Sequence, residues 1–79
     1  MLFKEAISKR LYELCEQYNY TPNKLAEIST IPPSTLNGIM NCKIENPSSY
    51  MIFKICKTLN ITLKEFYDSD LFLIKNIEN

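Results

Sequence analysis

Seventy-nine residues carry nine basic and nine acidic side chains, which sets a single domain with zero formal charge and removes overall basicity as a pointer to nucleic acid. Apolar residues make up 46% of the chain, which excludes intrinsic disorder, and a chain this short buries only about 60% of its unfolded surface, so its core has to be continuous. There is no histidine, the three cysteines lack ligand spacing, and no long apolar run or basic leader is present, so a zinc site, a disulfide scaffold, a membrane span and a signal peptide are all unexpected.

From Leu2 to about Tyr18, apolar residues recur at Phe3, Ala6, Ile7, Leu11, Leu14, Cys15 and Tyr18, a helical stripe with charged residues opposite it. Asn19-Tyr20 breaks the pattern. Thr21 can cap a second helix, with Pro22 in the first turn where a missing N–H costs nothing, and this helix should end near Ile28. Pro32-Pro33 cannot continue a helix but can start one, so a third helix is predicted over about Pro33 to Met40.

Asn41 to Pro47 reads as a loop. Ser48 is placed to cap a fourth helix with Met51, Ile52, Ile55, Cys56 and Leu59 on its inner face and Asn60 at its end. Thr62-Leu-Lys-Glu65 has the form of a capping box and predicts a short fifth helix over about Leu63 to Tyr67. Residues 68–79 contain Leu71, Phe72, Leu73, Ile74 and Ile77 without a clear period. The expected domain therefore spans residues 1–67, with 68–79 as a C-terminal extension. Charge divides the same way: residues 1–64 hold eight basic and five acidic side chains, and residues 65–79 hold one basic and four acidic.

The segment from Thr21 to Met40 is the most informative. Two short helices joined by a tight turn, the second with one apolar face and one free face, are how a small all-helical protein presents a helix to the DNA major groove. Leu25-Ala26, Ser34-Thr35-Leu36-Asn37, Asn46-Pro47-Ser48, Lys54-Ile55-Cys56 and Leu59 to Phe66 follow in order at the spacing of a known family. Over about Ala6 to Tyr67 the chain resembles the Cro/CI-type, or XRE-like, helix-turn-helix family of phage repressors and small bacterial regulators. The resemblance implies an all-α, five-helix, lambda-repressor-like DNA-binding domain. Ala26 would allow close approach of helices 2 and 3, Ile31 would plug the turn beneath them, and Leu36, Ile39, Ile55, Leu59 and Phe66 would form the core.

The chain departs from the family at several positions. Pro22 stands where relatives usually carry a phosphate-contacting glutamine. Thr30 and Cys42 stand where relatives usually carry glycines with positive φ, so either the turns differ or they are strained by roughly 1 kcal/mol or more. Cys15 and Met40 replace an arginine–glutamate pair found in many relatives, as expected if packing takes the place of an ion pair.

The resemblance puts Pro33, Ser34, Thr35, Asn37 and Gly38 on the exposed start and face of the recognition helix as base-reading candidates. Only Asn37 is of a type that pairs bidentately with a base, here adenine. Thr35 suits a thymine methyl, Gly38 offers room for close approach, and Ser34 and Thr35 serve equally well in capping and turn chemistry. Lys24, Asn41 and Lys43 are the phosphate-contact candidates, while Glu45 would repel the DNA backbone. Tyr12, Tyr50 and Tyr67 are expected at the core edge, and the cysteines as small core or turn residues.

These features predict a cytoplasmic bacterial transcriptional regulator, a repressor by its family, that binds double-stranded DNA as a homodimer. Leu71, Phe72, Leu73, Ile74 and Ile77 are the dimerisation candidates, because five apolar residues in so short a stretch need a use: they either cap the monomer core or pair two chains. The other reading is a protein-interaction module, antirepressor or antitoxin-like, that keeps the scaffold with weak or lost DNA binding. Zero net charge, Pro22, Gly38 and Glu45 favour it. No cofactor or metal is expected. The lack of histidine, paired carboxylates and a phosphate-binding glycine loop argues against an enzyme.

Overall fold

A computed structural model describes all residues, Met1–Asn79, as an all-α structure with no strands. The helices are α1 (Phe3–Tyr18), α2 (Pro22–Ile28), α3 (Pro33–Met40), α4 (Ser49–Leu59) and α5 (Leu63–Tyr67), followed by two single 3₁₀ turns at Asp70–Phe72 and Ile74–Asn76. Each helix lies within a residue of its expected bounds.

Side-chain caps set most of these starts. The Thr21 hydroxyl accepts the Lys24 N–H at 3.1 Å, and the Ser48 hydroxyl accepts the Met51 N–H at 3.1 Å. Thr62 and Glu65 satisfy each other's backbone N–H groups at 2.9 Å, the predicted capping box. The Glu5 carboxylate accepts the Leu2 N–H at 2.7 Å at the start of α1. Each such cap satisfies a donor the helix leaves orphaned and contributes about 1 kcal/mol.

The core is one cluster. It joins Ile7, Leu11, Leu14 and Cys15 of α1 to Leu25 and Ala26 of α2, Leu36, Ile39 and Met40 of α3, and Ile52, Ile55, Cys56 and Leu59 of α4, with Phe66 of α5 fully enclosed. Ala26 has no accessible surface, so a larger side chain there would hold α2 and α3 apart. Ile31 is buried in the turn between them. Cys15 and Met40 are both buried in this core, as expected of a pair that packs. Burial also pushes the Cys15 and Cys56 thiols above their ordinary pKa.

Arg10, which belongs to no motif in the sequence, anchors α5. Its Nε donates to the Phe66 carbonyl at 2.6 Å and its Nη2 to the Glu65 carbonyl at 3.0 Å, and the guanidinium lies 5.9 Å from the Phe66 ring centroid. A cation thus meets the negative end of the last helix.

Residues 68–79 fold back on the N-terminal end of α1. Phe72 joins an aromatic cluster, with ring centroids 6.2 Å from Phe3, 6.2 Å from Phe66 and 4.9 Å from Tyr67. The Glu78 N–H donates to the Met1 carbonyl at 2.9 Å, and the Phe3 N–H donates to Asn79 Oδ1 at 2.8 Å. Phe72 therefore caps the monomer core, and Leu71 and Ile77 are half-buried, while Leu73 stays exposed and Ile74 is 92% exposed. Tyr67 sits at the core edge as expected. Tyr12 and Tyr50 do not: they are 49% and 67% exposed. Tyr50 lies two positions before Ile52, about 200° around α4 from the buried stripe, and Tyr12 lies about 100° past Leu11.

Four residues other than glycine have positive φ: Asn19 at 59°, Thr30 at 55°, Cys42 at 60° and Asn60 at 57°. The two turns that the resemblance leads one to expect in the left-handed region are there, and Thr30 and Cys42 bear them under strain. Asparagine tolerates this region; a β-branched threonine does not. Thr30→Gly should stabilise the protein by about 0.5–1 kcal/mol after the extra unfolded-state entropy of glycine is counted, and by more than Asn60→Gly, as read by thermal unfolding. In the native protein, a thiol-specific reagent should label half-buried Cys42 well before buried Cys15 and Cys56, which should react only as the core opens.

Candidate nucleic-acid interface

Pro32, with φ −54° and ψ 131°, stops the chain in an extended conformation, and Pro33 then opens α3. The Pro32 carbonyl accepts both the Thr35 N–H at 2.9 Å and the Leu36 N–H at 3.1 Å. No side chain caps this start. Ser34 and Thr35 therefore do not serve the capping role that their types allow, and their hydroxyls are left without an intramolecular partner.

The other candidates lie along the same helix and the turn that follows. Pro33, Ser34 and Asn37 are exposed, while Thr35 and Gly38 are half-buried. Asn41 and Lys43 are exposed in the turn after α3. There the Asn41 N–H donates to the Asn37 carbonyl and the Lys43 N–H to the Gly38 carbonyl, both at 2.8 Å. Lys24 is exposed in the first turn of α2. None of the three ion pairs in the structure involves Lys24 or Lys43, so both ammonium groups are free. Pro22 occupies the first position of α2, and Thr21 takes up the donor behind it.

Gly38 makes room within the protein itself. A Cβ built there would sit 3.2 Å from Ile44 Cδ1 and 3.4 Å from Ile44 Cγ1. The space above Gly38 is already occupied by Ile44, which folds back from the α3–α4 loop onto the core. Gly38 accommodates the protein's own loop and stays half-buried, so the fully exposed face of α3 is its first turn and Asn37. The glycine itself was the sequence signal that something approaches the helix here; nothing in the sequence showed that Ile44 does.

Glu45 is not a bare repulsive charge. Its Oε1 lies 2.6 Å from the Lys4 ammonium, and this hydrogen bond raises the Lys4 pKa above the ordinary lysine value. The Ser8 hydroxyl donates to the Met40 carbonyl at 2.5 Å, so α1 holds both the end of α3 and the loop beyond it. On the far side of the turn, Lys54 Nζ donates to the Thr30 carbonyl at 3.0 Å, and the Ser29 and Thr58 hydroxyls meet at 2.9 Å. These contacts tie α4 to the α2–α3 turn. Sequence spacing alone could not reveal them, because they join residues 24 and 29 positions apart.

Alanine at an exposed helix position normally gains about 1 kcal/mol over glycine. Gly38→Ala should realise that gain only when Ile44 is shortened. In an Ile44→Ala background it should stabilise by about 1 kcal/mol, and in the wild-type background by distinctly less. A urea-unfolding double-mutant cycle reads this coupling.

The family model for the Cro/C1-type HTH DNA-binding domain matches residues 10–69. No curated protein and no solved structure matches the chain significantly. The matched span takes in α2, the strained turn and α3, together with the α4 and α5 helices that support them. The chain belongs to the Cro/C1-type helix-turn-helix DNA-binding family.

Proposed function

We propose that this protein is a sequence-specific transcriptional regulator that binds double-stranded DNA with α3 in the major groove. The observation that carries the reading is the exposed start of α3, where Ser34, Thr35 and Asn37 have side chains unengaged within the protein, flanked by the unpaired cations Lys24 and Lys43. Asn37 is the strongest base reader, through adenine N6 and N7. Ser34 and Thr35 add contacts to phosphates or to a thymine methyl. Lys24, Asn41 and Lys43 bind phosphates and fix the register. A homodimer would set one α3 in each half-site, about one helical turn apart, with the exposed Leu73 and Ile74 as its pairing residues, because Phe72 is taken up by the monomer's own core. With few strong base readers, part of the specificity would come from DNA shape.

A second reading is a protein-interaction module on the same scaffold. It is favoured by the zero net charge and by Ile44 covering part of the face that α3 would offer to DNA.

Fluorescence anisotropy with DNA from upstream of the protein's own gene, against a scrambled duplex, separates the two. A regulator should prefer the upstream duplex and weaken as salt rises. Asn37→Ala should cost about 1–3 kcal/mol on the specific duplex and relax its preference, while Lys43→Ala should weaken both duplexes alike and lower the salt slope by about one. Absence of binding to either duplex at low salt would favour the interaction module.

A further inference from the structure

Between the end of α2 and the outer face of α4 lies a groove of about 410 Å³, within the range of about 300–1,000 Å³ in which proteins hold ligands and side chains of partners. Its apolar walls are Ile28, Tyr50 and Phe53, all substantially exposed at 41%, 67% and 48%. Its rim carries Lys54 and Lys57, and neither has a carboxylate within ion-pair distance. The Lys54 ammonium lies 5.2 Å from the Tyr50 ring centroid. Apolar walls beside unpaired cations suit an apolar segment with acidic flanks.

The chain carries an exposed apolar corner with acidic residues on its N-terminal side. Leu73 and Ile74 form an exposed corner where the first 3₁₀ turn passes into the second, held in place on both sides by Phe72 and by the contacts of Asn76. Asp68 and Asp70 precede this corner outside any ion pair, and the single cation Lys75 follows it, so the acidic side is the N-terminal one. Residues 65–79 carry four acidic groups against one basic, whereas the preceding residues have the opposite balance. The corner is already ordered by its own monomer, so docking it costs little conformational entropy.

We propose that the groove between α2 and α4 receives the Leu73–Ile74 corner of a second copy of this chain, in a reciprocal two-fold dimer. Each protomer gives one corner and takes one, so the contact is made twice and closes. This rests on the homodimer reading above and names both of its surfaces.

Sedimentation velocity over a concentration series tests it, with Ile74→Asp, Phe53→Asp and Lys57→Glu as variants at exposed positions and circular dichroism as the check on folding. Wild type should dimerise, and each variant alone should weaken the dimer about tenfold or more. Mixing Ile74→Asp with Phe53→Asp should restore association part of the way, because a mixed pair keeps one intact groove and one intact corner. A wild-type monomer at every concentration would overturn the inference together with the homodimer reading. A dimer that ignores all three substitutions, or that mixing fails to restore, would overturn the inference and leave the homodimer reading standing.

Discussion

Four residues, Ser29 to Pro32, separate α2 from α3, and the two helices nevertheless pack directly on one another. This connection closes with its backbone in the left-handed region at Thr30, φ 55°. A threonine there stores strain that a glycine would not, and the surroundings hold it in place. Ile31 drives the next residue into the core, Ala26 leaves room for the two helices to meet, and Lys54 from α4 binds the Thr30 carbonyl. The position and tilt of α3 follow from this turn, and so does the direction in which Ser34, Thr35 and Asn37 point.

Most of the fold was legible because it is written in local chemistry. Pro22 and Pro33 mark helix starts, Thr21, Ser48 and Thr62 supply side-chain caps, Asn19 and Asn60 end helices in the left-handed region, and apolar spacing identifies the buried faces. What was not legible depends on residues distant in sequence. Arg10 reaches α5, Lys4 reaches Glu45, and Ile44 closes over Gly38, and no period or motif encodes such pairs. Residues 68–79 were unreadable for a related reason. Their short 3₁₀ turns have too few residues to show a period, and Phe72 is placed by an aromatic cluster assembled from three parts of the chain.

The candidate interface shows the same division. Its residues could be named from the order of the family pattern, but their accessibility depends on the α3–α4 loop. That loop carries Ile44 inward and Glu45 toward Lys4, so one side of α3 is covered by the protein itself and an acidic group is partly neutralised from α1. The single glycine of the chain is used for this close approach, whereas the left-handed turns are made by asparagine, threonine and cysteine.

Lys54 belongs to two places at once. Its ammonium holds the carbonyl of the strained Thr30 turn, and its stem and charge border the groove on α4. A side chain shared in this way makes the two places energetically interdependent. A ligand that recruits the ammonium to the groove draws it from the turn, and a turn that holds it more firmly leaves the groove less cationic. Linkage makes the effect mutual, so the free energy by which an occupied groove biases the seating of α3 equals that by which a seated α3 biases the groove.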